Sequence, residues 1–174
     1  MSDLFEKITG QQDIIKKLGS IIPGFKGYIE RQNRRAADKI IRESVSQRFE
    51  DLWTRTSNLQ TRMVSDGKLE LLDEMEQAAI KLRTFADKIK TASYGYSGFF
   101  DAVKIKENDL EQIYQFDLAF FDTAEQLNRA LDTLEASFGD EQGLNAAIRS
   151  LIILAREAVN TFERRSELIN GSGQ

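Results

Sequence analysis

The chain has no cysteine and no histidine, and a single proline in 174 residues. Without cysteine there are no disulfides, thiolate nucleophiles, iron–sulfur clusters or cysteine zinc sites. Without histidine the usual haem ligand, the Ser-His-Asp relay and the Glu-x-x-His pair of di-iron bundles are excluded as well. Long apolar runs are also missing: nothing approaches the roughly eighteen residues that a bilayer span requires. The opening residues Met1 to Gly10 show no basic leader followed by an apolar stretch and a small-residue cleavage site. These features lead us to expect a cytoplasmic protein.

What the chain does have is 41% hydrophobic and 30% charged residues, arranged with a helical period. Turn chemistry is concentrated at Ile22-Pro23-Gly24, Ser65-Asp66-Gly67 and Phe138-Gly139-Asp140, with a looser break at Tyr94-Gly95-Tyr96-Ser97-Gly98. Between the breaks, apolar residues recur every three or four positions. From Tyr28 to Val64 the seam is Ala37, Ile41, Val45, Phe49, Leu52, Thr56, Leu59 and Met63. Lys68 to Ser93 follows with Leu72, Met75, Ala79, Leu82, Ala86 and Ile89. Asp109 to Phe138 gives Leu110, Ile113, Asp117, Phe120, Ala124, Leu127, Leu131 and Leu134, and Glu141 to Ile169 gives Ala147, Leu151, Leu154, Ala158, Phe162 and Ile169. Stripes this wide suit a globular core better than a two-stranded coiled-coil seam. The expected fold is all-α: an antiparallel up-and-down four-helix bundle over residues 26–169, preceded by a short amphipathic helix and turn in residues 1–25 and followed by a disordered tail, 170–174.

The amino-terminal helix places Leu4, Phe5, Ile8, Ile15, Leu18 and Ile22 on one face, continuing to Phe25. It has three possible fates: capping the bundle, which a helix beside a bundle usually does; pairing with another subunit or partner; or lying on an anionic membrane surface. Lys16, Lys17, Lys26, Arg31, Arg34 and Arg35 surround it and its turn, which is the pairing of apolar face and basic cluster that membrane docking uses. Residues 1–64 hold twelve basic against eight acidic residues, and residues 65–174 hold twelve against twenty, so charge is polarised along the chain. Mutual attraction of basic and acidic helices, within one bundle or between subunits, explains this more simply than lipid does. Nucleic acid is disfavoured, because the net charge is −4 and Glu30, Asp38 and Glu43 interrupt the basic residues.

The connector from Tyr94 to Ile105 is longer and more aromatic than a bundle turn needs. Tyr94, Tyr96, Phe99, Phe100, Asp101 and Lys104 are candidates for a partner-binding surface, against the plainer role of a lid over the end of the core. Asp117 occupies a seam position between Ile113 and Phe120, so it should be a buried structural charge. Lys104, Arg34, Arg35, Arg83 or a connector tyrosine would be its partner. An acid–base or metal role for Asp117 with Asp101 is the third-ranked alternative, since no calcium-type spacing accompanies them. No cofactor is expected.

The run YGYSGFFDAVKI, with the turn Pro23-Gly24-Phe25-Lys26-Gly27-Tyr28, resembles a family of uncharacterised bacterial all-helical proteins. The resemblance covers about 18 residues, or 31 with the LEQIYQFDLAFFD segment that follows. It implies a bacterial cytosolic origin and carries no activity or ligand. Taken together, the sequence points to a non-enzymatic helical adaptor or scaffold that binds a protein partner or its own copies. Peripheral docking at the inner face of the membrane through residues 1–25 is the alternative.

Overall fold

The computed structural model describes residues 2–30, 34–92 and 107–171. Among them the chain is all-helical, without strands. The helices are α1 (Ser2–Ile21), α2 (Phe25–Glu30), α3 (Arg34–Ser65), α4 (Leu72–Thr91), α5 (Glu107–Ala136) and α6 (Glu141–Gly171), with a 3-10 turn, Leu69–Leu71, leading into α4. Among the described residues six helices therefore pack together, and α3 alone is about 48 Å long. Among the described residues, none of these helices is long and apolar enough to cross a membrane.

Two of the three sharp turns work through glycine. Gly24 has φ +82° and Gly67 has φ +74°, conformations that a Cβ resists. At the end of α3, the Lys68 amide donates to the Met63 carbonyl at 2.8 Å across Gly67, a Schellman closure that occupies an otherwise orphaned helix-end acceptor. The Gly24 corner lets α2 double back on α1, so that Phe25 is buried and Ile29 packs on the same core. The helix expected from Tyr28 onward is described as α2, Phe25–Glu30, and α3, from Arg34; residues 31–33 between them lie outside the described residues.

Seam residues enter the core as their period dictates. Every seam position named for α3 and α5 is buried; in α4 and α6, Leu72, Leu154 and Phe162 are half-buried. Three phenylalanines, one from each of the other long helices, meet around Phe85 of α4. Phe49, Phe120 and Phe162 lie with ring centroids 4.2, 5.1 and 6.1 Å from it. Ile14, Leu18, Ile22 and Phe25 belong to this same core, so residues 14–25 are part of one folded unit with the long helices. The last helix runs to Gly171, two residues into the segment expected to be tail; 172–174 lie outside the described residues.

The packing partners are α3 with α4, α5 with α6, α4 with α6, and α3 with α5. The first two pairs are antiparallel hairpins. The other two run parallel: Arg55, late in α3, reaches Asp132 and Glu135, late in α5, and Phe85 of α4 lies beside Phe162 of α6. Thus α5, the next long helix in the chain, sits beside α3 rather than α4. One end of the assembly, the head, gathers the start of α3, the end of α4, the start of α5 and the end of α6. The opposite end, the foot, carries the turns after α3 and α5.

Candidate functional site

One turn headward of the phenylalanine layer, four charged side chains from three helices meet in the core. Asp38 and Arg42 come from α3, Asp117 from α5 and Arg165 from α6, and none is more than 4% exposed. The Arg165 guanidinium bridges the two carboxylates, with Nε donating to Asp117 Oδ1 at 2.9 Å and Nη2 to Asp38 Oδ1 at 2.7 Å. The second oxygen of Asp38 accepts from Arg42 Nε at 2.7 Å. Arg42 also donates from Nη1 to the Lys90 carbonyl at 3.3 Å, at the last turn of α4, where helix carbonyls lack internal donors and a cation suits the dipole. One turn along α3, Ser46 donates to the Ala86 carbonyl at 3.1 Å. Asp38, Arg42 and Ser46, four residues apart in turn, form a polar row on the face of α3 that meets α4.

The quartet is balanced, two carboxylates against two guanidiniums, but its hydrogen bonding is incomplete. Asp117 Oδ2 and Arg165 Nη1 are buried and have no hydrogen-bond partner among the described residues. Burial pushes the Asp117 carboxyl up from its ordinary 3.8 to about 6, against the pull of Arg165 and with a further push from Asp38. Burial works against the charge of Arg165 too, yet Asp117 and Asp38 together hold its guanidinium protonated well above the ordinary range. The arrangement is thus a lock: each long helix contributes a side chain or a carbonyl, and a shift of register in any one would strand a buried charge.

Asp117 is buried and ion-paired, as its seam position required, but its partner is one the sequence reading did not name. Arg83 instead lies over the Trp53 ring, 4.9 Å from its centroid. Arg35 is exposed; the side chain of Arg34 and all of Lys104 lie outside the described residues. Arg165 escaped notice because it sits in Glu163-Arg164-Arg165-Ser166-Glu167, which reads as a solvated charge run. A signal was present: seven residues separate Phe162 from Ile169 on the α6 seam, and Arg165 fills that gap.

The other sequence candidates are distributed as follows. Leu18, Ile22 and Phe25 are buried, and Ile15 is half-buried against the core. Phe25 meets Tyr114 of α5 edge-on at 6.0 Å. Ile14, absent from the expected apolar face, is buried too. Lys16 and Lys17 are exposed. The side chains of Leu4, Phe5 and Ile8 lie outside what is described, as does the whole connector with Tyr94, Tyr96, Phe99, Phe100, Asp101 and Lys104.

The surface of the described residues includes two concave features. A groove of about 440 Å³ at the head runs between α4 and α6, past Lys88, Thr91, Glu163 and Glu167. A crevice of about 270 Å³ at the foot lies between the α3–α4 turn and the start of α6. Among the described residues, no group of three or more acidic side chains is placed to hold a metal ion. Comparison with family models, curated proteins and solved structures finds no match to this chain.

Proposed function

We propose that the protein is a non-enzymatic helical scaffold of the cytoplasm, a four-helix up-and-down bundle capped by α1 and α2, which acts by associating with copies of itself or with a protein partner. The observation that carries this reading is the closed quartet. Asp38, Arg42, Asp117 and Arg165 neutralise one another inside the core, so they serve to fix the positions of the long helices. A charge lock of this kind supports rigidity and specificity of packing, which a surface-acting protein needs. Burial of Leu18, Ile22 and Phe25 in the core favours the capping role for the amino-terminal helix over insertion of those side chains into lipid.

The test is the solution mass of the full chain by light scattering across concentration, together with affinity capture. A mass that rises above 19.8 kDa, or a stoichiometric protein partner, is the expected result. A chain that stays monomeric and retains no protein overturns the reading.

A further inference from the structure

The charge quartet is enclosed between two apolar layers. On its foot side lie Phe120, one turn along α5 from Asp117, and Phe162, one turn back along α6 from Arg165. On its head side Ile113 and Ile169, both buried, form a cluster of their own with Ala92 and Leu168 packed against it. Two polar atoms inside this sandwich, the acceptor Asp117 Oδ2 and the donor Arg165 Nη1, have no hydrogen-bond partner among the described residues. Both side chains are fully buried. An unmade hydrogen bond on a charged group is more costly than on a neutral one, and buried atoms of this kind are matched in native cores by protein or by ordered water.

The neighbouring polar side chains are already engaged. Asp38 accepts from Arg165 on one oxygen and from Arg42 on the other. Ser46 donates to the Ala86 carbonyl at 3.1 Å. Thr161, one turn before Arg165 on α6, donates to the Glu157 carbonyl at 2.9 Å and accepts from Arg164 at 3.3 Å. Charge balance excludes an ionic ligand as well. With two carboxylates and two guanidiniums in one buried cluster, an anion on Nη1 would meet the carboxylates and a cation on Oδ2 would meet the guanidiniums, and burial strengthens either repulsion. The ligand that fits is neutral, small, and able both to donate and to accept, which describes water.

We propose that the quartet is an internal water site, in which ordered water accepts a hydrogen bond from Arg165 Nη1 and donates one to Asp117 Oδ2. Water then completes the lock between α5 and α6 without a further protein group. The site belongs to the interior and does not depend on the scaffold reading.

A high-resolution crystal structure of the full chain, with and without a bromide soak, tests this. Water density should lie about 2.7–3.2 Å from Arg165 Nη1 and from Asp117 Oδ2, with no anomalous bromide signal at either atom. In solution, magnetic relaxation dispersion counts water molecules held for longer than the protein takes to tumble. The variant D117L/R165M removes both atoms together and leaves the balanced Asp38–Arg42 pair in place, an exchange of buried ions for apolar groups that cores tolerate. It should lose at least one long-lived water relative to the wild type, with circular dichroism checking that the helices are intact. Density at neither atom overturns the proposal, as does bromide on Nη1. A protein group on these atoms in place of water, such as the Lys104 ammonium or a connector tyrosine hydroxyl on Asp117 Oδ2, overturns it too. An unchanged count of long-lived water in the folded variant has the same consequence; where the variant does not fold, the density at the two atoms decides. A monomer that captures no protein would remove the scaffold reading and leave this site standing.

Discussion

Arg165 is fully buried, and both carboxylates that depend on it are buried with it. Replacing it with methionine keeps much of the volume but strands Asp38 and Asp117 without their shared cation, so Arg165→Met should destabilise the fold by about 3–5 kcal/mol in chemical denaturation. Asp117 makes a distinct prediction. Its folded-state pKa of about 6 lies above the ordinary 3.8, so the folded protein binds this proton more tightly than the unfolded chain does. The stability linked to Asp117 is therefore fully present below pH ~4 and is lost as pH rises through about 6, a swing of about 3 kcal/mol. Asp117→Asn retains an acceptor for Arg165 and cannot titrate. The difference in stability between wild type and this variant, measured from pH 4 to 7.5, should fall between about pH 4 and 6 and level off above about 6. A difference that is flat across the range would mean that Asp117 stays ionised throughout.

At the scale of the element, the glycine turns separate backbone need from mere punctuation. Gly67 closes α3 with φ +74°, and a Cβ there meets no neighbour, so any penalty comes from the backbone alone. Gly67→Ala should cost about 1 kcal/mol. Gly139, in the turn before α6, also has open space around it but is not in the left-handed region, and Gly139→Ala should be neutral or slightly stabilising. Paired urea titrations read this contrast directly. Much of the fold was legible at this level: the seams Ala37 to Met63 and Leu110 to Leu134 are buried throughout, because a stripe at helical spacing has one face to hide. Asp117 was legible for the same reason. The rest of its cluster was not, because Asp38 stands beside the seam residue Ala37 and Arg165 stands among surface-type charges. A period specifies which face of a helix is inward, and says little about which charge on another helix will be met there. Nor does periodicity order the helices around the core, which is why the parallel contacts of α3 with α5 and α4 with α6 had to come from the structure.

For the molecule as a whole, the open question is whether α1 and α2 are an appendage or part of the fold. A detachable anchor would keep its apolar face for another surface and leave the bundle complete without it. Instead, Leu18 and Phe25 are entirely buried and Ile22 nearly so, and Phe25 packs against Tyr114 within one turn of Asp117. Removing this cover would expose Tyr114 and admit water beside the charge quartet, which a low-dielectric setting holds together. A chain lacking residues 1–25 should therefore melt at least several degrees lower and bind an apolar dye before unfolding, whereas removal of an anchor would leave both measurements unchanged. Phe25→Ala makes the same point with one side chain. Loss of a buried aromatic is worth about 3–5 kcal/mol, and the loss should appear in global unfolding, because the ring is seated in the common core. If this pair of helices instead opened independently, amide exchange in α1 and α2 would quicken in this variant while α3 to α6 kept their protection. Uniform loss of protection is the expected result.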